Sequence, residues 1–303
     1  DATTETRLAL EGYRNAMTYV LQLAQDPPVS VSLDLIRSLH FMMTNHDLKA
    51  RPGRWRSGII LVQSEDTGEI VHEGAELDLV PSLMSALVAR MNEPQGPAII
   101  QAAMVHLNLV MIHPFRDGNG RMARCMQSLV LAADGTLAPV FMSVEEYLGR
   151  NTQGNYDVLA RVGGGHWQPH RDARPWIRFI LTAHLRQAQT LRQRVRASEM
   201  VWLSLENLIK RHAAPERSVA ALFDAANGYR LRRATYAAAL AGNGDEISDQ
   251  TATRDLKSLV DAGLLEAQGD KRGRVYTAAS PLREIREKAR ADVQSRDPRD
   301  PFD

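Results

Sequence analysis

One run of residues, from His113 to Arg124, carries side-chain types and spacings suited to chemistry on a polyphosphate: His113, Pro114, Phe115, Arg116, Asp117, Gly118, Asn119, Gly120, Arg121, Met122, Ala123, Arg124. Gly118 and Gly120 reach backbone conformations closed to other residues, so their amides and that of Asn119 can converge into an anion-binding nest. The nest opens onto the start of an expected helix, where unpaired N–H groups and the macrodipole favour phosphate oxygens. Arg121 and Arg124 are three apart on that helix, hence on one face, and each can fork onto phosphate. Asp117 is a single carboxylate beside the nest, which is how Mg2+ is commonly held together with waters and substrate phosphates. His113, with an unperturbed pKa near ~6.5, can accept a proton from an incoming hydroxyl. A lone histidine after an apolar helix more often satisfies a core, and a lone Gly-Asn-Gly is usually a turn. The combination of base, carboxylate, double glycine and two arginines on one face points instead to metal-assisted transfer of a phosphorus group. Phe115 reads as an apolar anchor for the loop, and Arg116 and Met122 receive no role.

These residues need elements to position them. The chain has 303 residues with 37 Lys plus Arg, 36 Asp plus Glu and 44% hydrophobic residues, a globular composition long enough for two cores. Apolar Leu10, Tyr13, Met17 and Leu21 recur at helical spacing, predicting a first helix over 8–23 that stops before Pro27 and Pro28. Further helices are expected over 32–43, 79–91, 98–112 and 120–133. The stretch 98–112 is so apolar that it belongs at the centre of a bundle. Residues 59–62 and 69–73 flank a glycine turn and read as a short hairpin. A long stretch over 174–211 leads to a second region.

There the pattern over 247–279 reads helix, short strand, tight charged turn, strand, which resembles a winged-helix domain. Residues 251–259 would form the second helix of its helix-turn-helix and 269–274 its wing. Arg254, Lys257, Lys271, Arg272 and Arg274 are candidates for DNA phosphates, but from Met200 to Ala278 eleven basic side chains face ten acidic ones, far from the footprint of a committed DNA binder. Recruitment of a target or dimerisation fits that balance at least as well. The formal net charge of +1 names no partner. Cys125 is the single cysteine, too few for a disulfide, and His40, His46, His106, His166, His170, His184 and His212 show no zinc-ligand spacing. No apolar run reaches the ~18 residues of a spanning helix and the first residues lack the regions of a signal peptide, so a soluble, cytoplasmic protein with no membrane partner is expected.

The run from His113 to Arg124 resembles the signature of the Fic family: His, any residue, Phe, any residue, Asp or Glu, Gly-Asn-Gly-Arg, two residues, Arg. All eight fixed positions match. The resemblance implies a mainly α fold, a Fic-type helical bundle with a short β-hairpin flap, followed here by the winged-helix-like domain. It implies a protein adenylyltransferase that moves AMP from ATP to a Ser, Thr or Tyr hydroxyl of a target protein or of itself, with diphosphate leaving. On these positions it assigns His113 as base, Asp117 as Mg2+ ligand, Gly118, Asn119 and Gly120 as the anion hole, and Arg121 and Arg124 as phosphate ligands. The related phosphate-transferring branch carries Lys at the position of Gly120, which favours AMP transfer over kinase activity. Removal of AMP, other nucleotidyl or phosphoryl transfer, and a transcriptional regulator with a nucleotide-sensing site are the alternatives.

Upstream, Pro52, Gly53, Arg54, Trp55 and Arg56 with the hairpin resemble the family's flap, which aligns an extended target segment by strand pairing. Many relatives carry an inhibitory helix with Ser or Thr, three residues, Glu, then Gly or Asn. Glu11 and Gly12 match its end, while Arg7 stands four residues before Glu11 and Thr6 is the nearest hydroxyl. The expectation is that Glu11 neutralises Arg124 and holds the site off. Asn155 and Tyr156 fall where relatives line the adenine pocket. The expected division is 1–25 inhibitory helix, 26–190 catalytic domain, 191–282 linker helix and winged-helix-like domain, and 283–303 charged tail.

Overall fold

The computed structural model describes residues 2–26, 28–63, 68–93, 95–135, 144–242, 244–270, 273–293 and 302. The chain divides into two units, with the boundary between Ala188 and Gln189.

The first unit is a helical bundle. Helix α1 (Ala2–Leu23) buries Ala16 and Val20 and packs Tyr13, Met17 and Leu23 on the core, while Leu10 is 63% exposed. Tyr13 and Met17 of the expected apolar face do pack on the core, but the face is centred on Gly12, Ala16 and Val20 and leaves Leu10 out. The cause is Gly12: a Cβ there would lie 2.7 Å from the Met42 carbonyl oxygen and 3.0 Å from that of Met43, so only glycine lets α1 approach this closely. Those carbonyls close α2 (Leu33–Thr44), whose start is capped by Ser32 Oγ accepting the Leu35 N–H at 3.0 Å.

Strands β1 (Leu61–Gln63) and β2 (Ile70–Glu73) pair antiparallel, with Val62 opposite His72 and a bulge between Val62 and Gln63. Helix α3 (Val80–Asn92) buries Val80, Met84, Leu87 and Met91, a helical stripe. Helix α4 (Ala98–Ile112) is apolar on nearly every side and runs through the middle of the bundle against α5 (Asn119–Ala133), as its composition predicts. Leu109, Phe115 and Met126 are among the fully buried side chains of this core, each contributing roughly 1.5–3 kcal/mol by burial. Helices α6 (Glu145–Arg150) and α7 (Thr152–Gly163) follow, then β3 (Gly165–His166), which adds to β2 in parallel as a third strand the sequence reading had not found. Its two residues are too short to carry an alternation signal.

Helix α8 (Arg174–His212) begins in this unit, where Trp176 Nε1 donates to the Ala103 carbonyl at 2.7 Å. A buried polar chain joins α4, α5 and α8: the His106 Nδ1 proton goes to Gln127 Oε1 at 2.6 Å, and Gln127 Nε2 donates to His184 Nε2 at 3.1 Å. Burial pulls both imidazoles down from 6.5 to about 4, so they are neutral at pH 7.

In the second unit, the last turns of α8 pack with α9 (Val219–Ala226), α10 (Arg233–Gly242), α11 (Asp249–Asp261) and a hairpin of β4 (Leu265–Gln268) and β5 (Val275–Ala278) around Leu205, Leu222, Leu256 and Leu259. The expected helix-then-two-strands order over 247–279 is present. The chain from 283 onward, expected as a charged tail, instead continues helix α12 (Ser280–Val293), which buries Leu282 and Ala289 and packs Ile285 on this core. Three apolar residues at helical spacing suffice to dock a segment that is otherwise charged. Lys271 and Arg272 of the expected wing, and 294–301 and 303 of the tail, lie outside the described residues. No helix among the described residues is long and apolar enough to cross a membrane.

Candidate active site

The segment between α4 and α5 is a short loop held almost entirely by side chains bonding to its backbone. Helix α4 ends at His113, whose left-handed backbone (φ 53°, ψ 58°) is a conformation usually left to glycine at helix ends. For a histidine it carries a cost of about 1–2 kcal/mol, of the kind stored at functional sites. Two bonds hold it. His113 Nδ1–H donates to the Val110 carbonyl at 3.1 Å, and the His113 carbonyl accepts from Arg56 Nε at 2.8 Å. With the proton on Nδ1, Nε2 presents its lone pair. Burial, reinforced by His72 and Arg56, pulls the His113 imidazole from 6.5 to about 4, so it is neutral at pH 7 and able to take a proton.

Arg56 is 6% exposed and reaches across several segments: besides His113 it donates to the Gly58 carbonyl at 2.8 Å and to that of Ala75, while its own N–H meets the Pro114 carbonyl at 2.9 Å. Phe115 is fully buried and stacks on His40 at 3.7 Å, confirming its role as the loop's apolar anchor. His40 Nδ1 accepts the Gly53 N–H at 2.9 Å, which puts its proton on Nε2, and Nε2 donates to the Asp117 carbonyl at 3.0 Å. His72 Nε2 donates to the Met111 carbonyl at 2.9 Å, one turn before the loop. The Asn119 side chain bridges back to Phe115 like a strand partner, its Oδ1 accepting the Phe115 N–H at 3.0 Å and its Nδ2 donating to the Phe115 carbonyl at 2.9 Å.

Gly118 has φ 79° and is the residue before α5, and no side chain caps that helix. The first amides of α5 are thus available to an anion. Gly120, by contrast, lies inside the first turn with ordinary helical φ, which corrects the expectation that both glycines need special backbone. A Cβ there would meet an outer nitrogen of Arg124 at 3.6 Å, an ordinary contact. Arg121 pairs with Asp117 Oδ2 at 2.6 Å and keeps one buried guanidinium nitrogen without a hydrogen-bond partner. Among the described residues no group of three or more His, Cys, Asp or Glu could hold a metal ion. Asp117, with its exposed carboxylate, is a lone acid, a donor set that fits Mg2+ held jointly with phosphates rather than in a protein cage.

A model of the Fic/DOC family matches residues 30–131, which include the loop and most of α5. The protein adenylyltransferase Fic of Nematostella vectensis is 28% identical over 179 residues, covering 56% of this chain and 36% of that protein. A Fido domain-containing protein of Dictyostelium discoideum is 35% identical over 102 residues, covering 30% of this chain and 71% of that protein. The chain belongs to the Fic/DOC family. It spans 36% of the length of the Nematostella protein and 14% of the adenylyltransferases of Caenorhabditis briggsae and Caenorhabditis elegans. A Fic family protein from Desulfovibrio desulfuricans shares the fold at TM-score 0.51 and 23% identity, over 88% of this chain and 74% of that one. A Fic domain containing signaling protein from Bacteroides thetaiotaomicron does so at TM-score 0.50 and 22% identity, over 61% of this chain and 70% of that one.

All the Fic signature residues expected to do chemistry converge on this loop and the first turns of α5. Asn119 enters differently from expectation, because its side chain braces the loop and leaves only its amide for the anion. Glu11 does not meet Arg124. It pairs with Arg7 at 3.6 Å on its own helix, and the carboxylate on Arg124 is Glu145 of α6, with Oε2 3.4 Å from Nε. The i,i+4 partner on the same face offers Glu11 a nearer cation. Tyr13, two residues on, does reach the site: its hydroxyl donates to Glu145 Oε1 and its ring lies 5.8 Å from the Arg124 guanidinium carbon. Asn155 on α7 keeps a buried Oδ1 without a hydrogen-bond partner, while Tyr156 is exposed. His40, His72 and Glu145 carried no assigned role in the sequence. Tyr13 was read only as part of the apolar face of the first helix, and Arg56 only as part of the run resembling the flap.

Proposed function

We propose that this Fic site transfers AMP from ATP to a hydroxyl group of a protein side chain. The observation that carries the reading is a neutral, tautomer-fixed His113 beside an uncapped helix start flanked by Arg121 and Arg124. His113 Nε2 takes the proton of the Ser, Thr or Tyr hydroxyl as its oxygen bonds to the α-phosphorus. The bond from that phosphorus to the bridging oxygen breaks, and diphosphate leaves with the electron pair. The α5 amides and the two arginines stabilise the charge that develops on the phosphate oxygens. Asp117 would hold Mg2+, whose chemistry when bound is to neutralise phosphate charge. The absence of a side chain at Gly120 supports AMP transfer over phosphate transfer.

Strand β1 lies at an edge of its sheet with Ile59 and Leu61 exposed, which supports docking of an extended target segment by strand addition. In the second unit Arg254 and Lys257 are exposed on α11, yet the near balance of charge supports a winged-helix-like recruiting or dimerising module rather than DNA binding.

The test is incubation with Mg2+ and α- or γ-labelled ATP, with and without added target lysate, comparing wild type, His113→Ala and Glu11→Gly. Retained α label that disappears in His113→Ala is expected. Retained γ label alone would mean phosphorylation, and loss of label from a modified protein would mean AMP removal. Glu11→Gly is expected to stay within about twofold of wild type, because Glu11 is engaged with Arg7. A large rise would restore Glu11 as a brake.

A further inference from the structure

The guanidinium of Arg124 has two distinct edges. Nε is buried, has no hydrogen-bond partner and is ion-paired with Glu145 Oε2 at 3.4 Å, while an outer nitrogen lies beside the first turn of α5, 3.6 Å from where a Cβ of Gly120 would be. Glu145 divides its two oxygens between partners: Oε2 toward Arg124 and Oε1 toward the Tyr13 hydroxyl, which donates to it. The Tyr13 ring in turn lies 5.8 Å from the guanidinium carbon, within cation–π range. Tyr13 is therefore in contact with both members of the pair, and its position depends on the close seating of Gly12 against the end of α2.

We infer that Tyr13 and Glu145 are positioning residues that hold Arg124 with its outer nitrogens toward the nucleotide phosphates, making α1 a supporting strut of the active site. The inference rests on the nucleotide-transfer reading above and differs from a brake in geometry. A carboxylate that blocked phosphate would occupy the outer nitrogens, whereas Glu145 faces the Nε edge and leaves the outer edge by the anion site. A long, flexible arginine loses rotamer freedom when it grips phosphate, and a side chain already held by two partners loses less on binding. Burial and the Glu145 carboxylate push the Tyr13 phenol well above its ordinary value, so it remains a hydrogen donor throughout the neutral range.

The experiment measures Mg-ATP affinity by titration calorimetry, and KM for ATP and kcat for labelling, in wild type, Tyr13→Phe, Glu145→Gln, the double variant and Arg124→Ala. Tyr13→Phe keeps the ring and its packing, so it removes the hydroxyl without emptying the core. Each single variant is expected to raise KM and Kd for ATP about three- to tenfold with kcat changed less than about twofold. The double variant should be no weaker than the worse single one, since the two act as a unit. Arg124→Ala should exceed both. Unchanged affinity in both singles would overturn the inference, as would tighter binding or faster labelling in Glu145→Gln, which would make Glu145 a brake. Failure of wild type to bind Mg-ATP would overturn the nucleotide reading itself, and this inference with it.

Discussion

Each unit of this Fic protein is organised around an arginine, and the two arginines are satisfied in opposite ways. In the first, Arg56 is buried and gives its guanidinium to the backbone carbonyls of His113, Gly58 and Ala75. In the second, Arg217 is bidentate to Asp255, with Nε on Oδ2 at 2.7 Å and an outer nitrogen on Oδ1 at 2.9 Å, and the Tyr236 hydroxyl donates to Oδ2 at 3.0 Å. Asp255 is buried and needs a charged partner, which the second unit supplies while tying the start of α9 to α10 and α11. Carbonyl acceptors fix the loop and leave Arg56 cationic. The lesson is that the same side chain fixes the backbone of a loop or pins helices together according to whether its acceptors are neutral or charged.

Replacing Arg56 by Ala should give the largest effect, because it strips three carbonyls of a donor and frees the backbone of His113. Labelling should fall on the order of 100-fold, the scale expected when a reacting group is misplaced. Arg56→Lys should not rescue it, since a point charge cannot reach three acceptors in a plane. Rescue by Lys would show that charge rather than geometry matters there and would collapse the contrast with Arg217.

Asp255→Ala should act only on the other side of the comparison. It leaves Arg217 and the Tyr236 hydroxyl without their acceptor and should lower the second unit's stability by about 3–5 kcal/mol, read by denaturant unfolding. Mg-ATP affinity should be unchanged. Loss of ATP binding would mean that the two units are not independent in this respect.

A smaller and graded difference is expected with pH. The first unit buries His106 and His184 and half-buries His113, each pulled from 6.5 to about 4, whereas His212, the second unit's one histidine, is exposed. Between those values the unfolded chain binds more protons than the folded one, so stability is complete above about 6.5 and falls as pH drops toward 4. The acid loss should appear in the first unit's helices by hydrogen exchange before the second unit's. His184→Phe should narrow the gap.

Most helices and the reactive residues were readable from the chain because both signals are local: apolar spacing marks one face of a helix, and the His113 to Arg124 run brings base, nest and arginines together within a few turns of backbone. The charged tail was misread because three apolar positions in α12 are too few to stand out until a core is there to receive them. Leu10 was wrongly included in the face of α1 for a related reason, since Gly12 looks like a weak helix residue until the Met42 carbonyl lies against it.

By itself, then, the sequence determined which side-chain types meet in the loop and the elements that carry it, since these depend on residue type and short-range periodicity. Only the tertiary structure decided what holds that chemistry in place. Arg56 reaches His113 across 57 residues, His40 reaches Asp117 across 77, and Tyr13 reaches Glu145 across 132. Such bonds leave no periodic trace, because they follow from how helices pack. The carboxylate that meets Arg124 was for that reason Glu145 of α6, not Glu11 of α1.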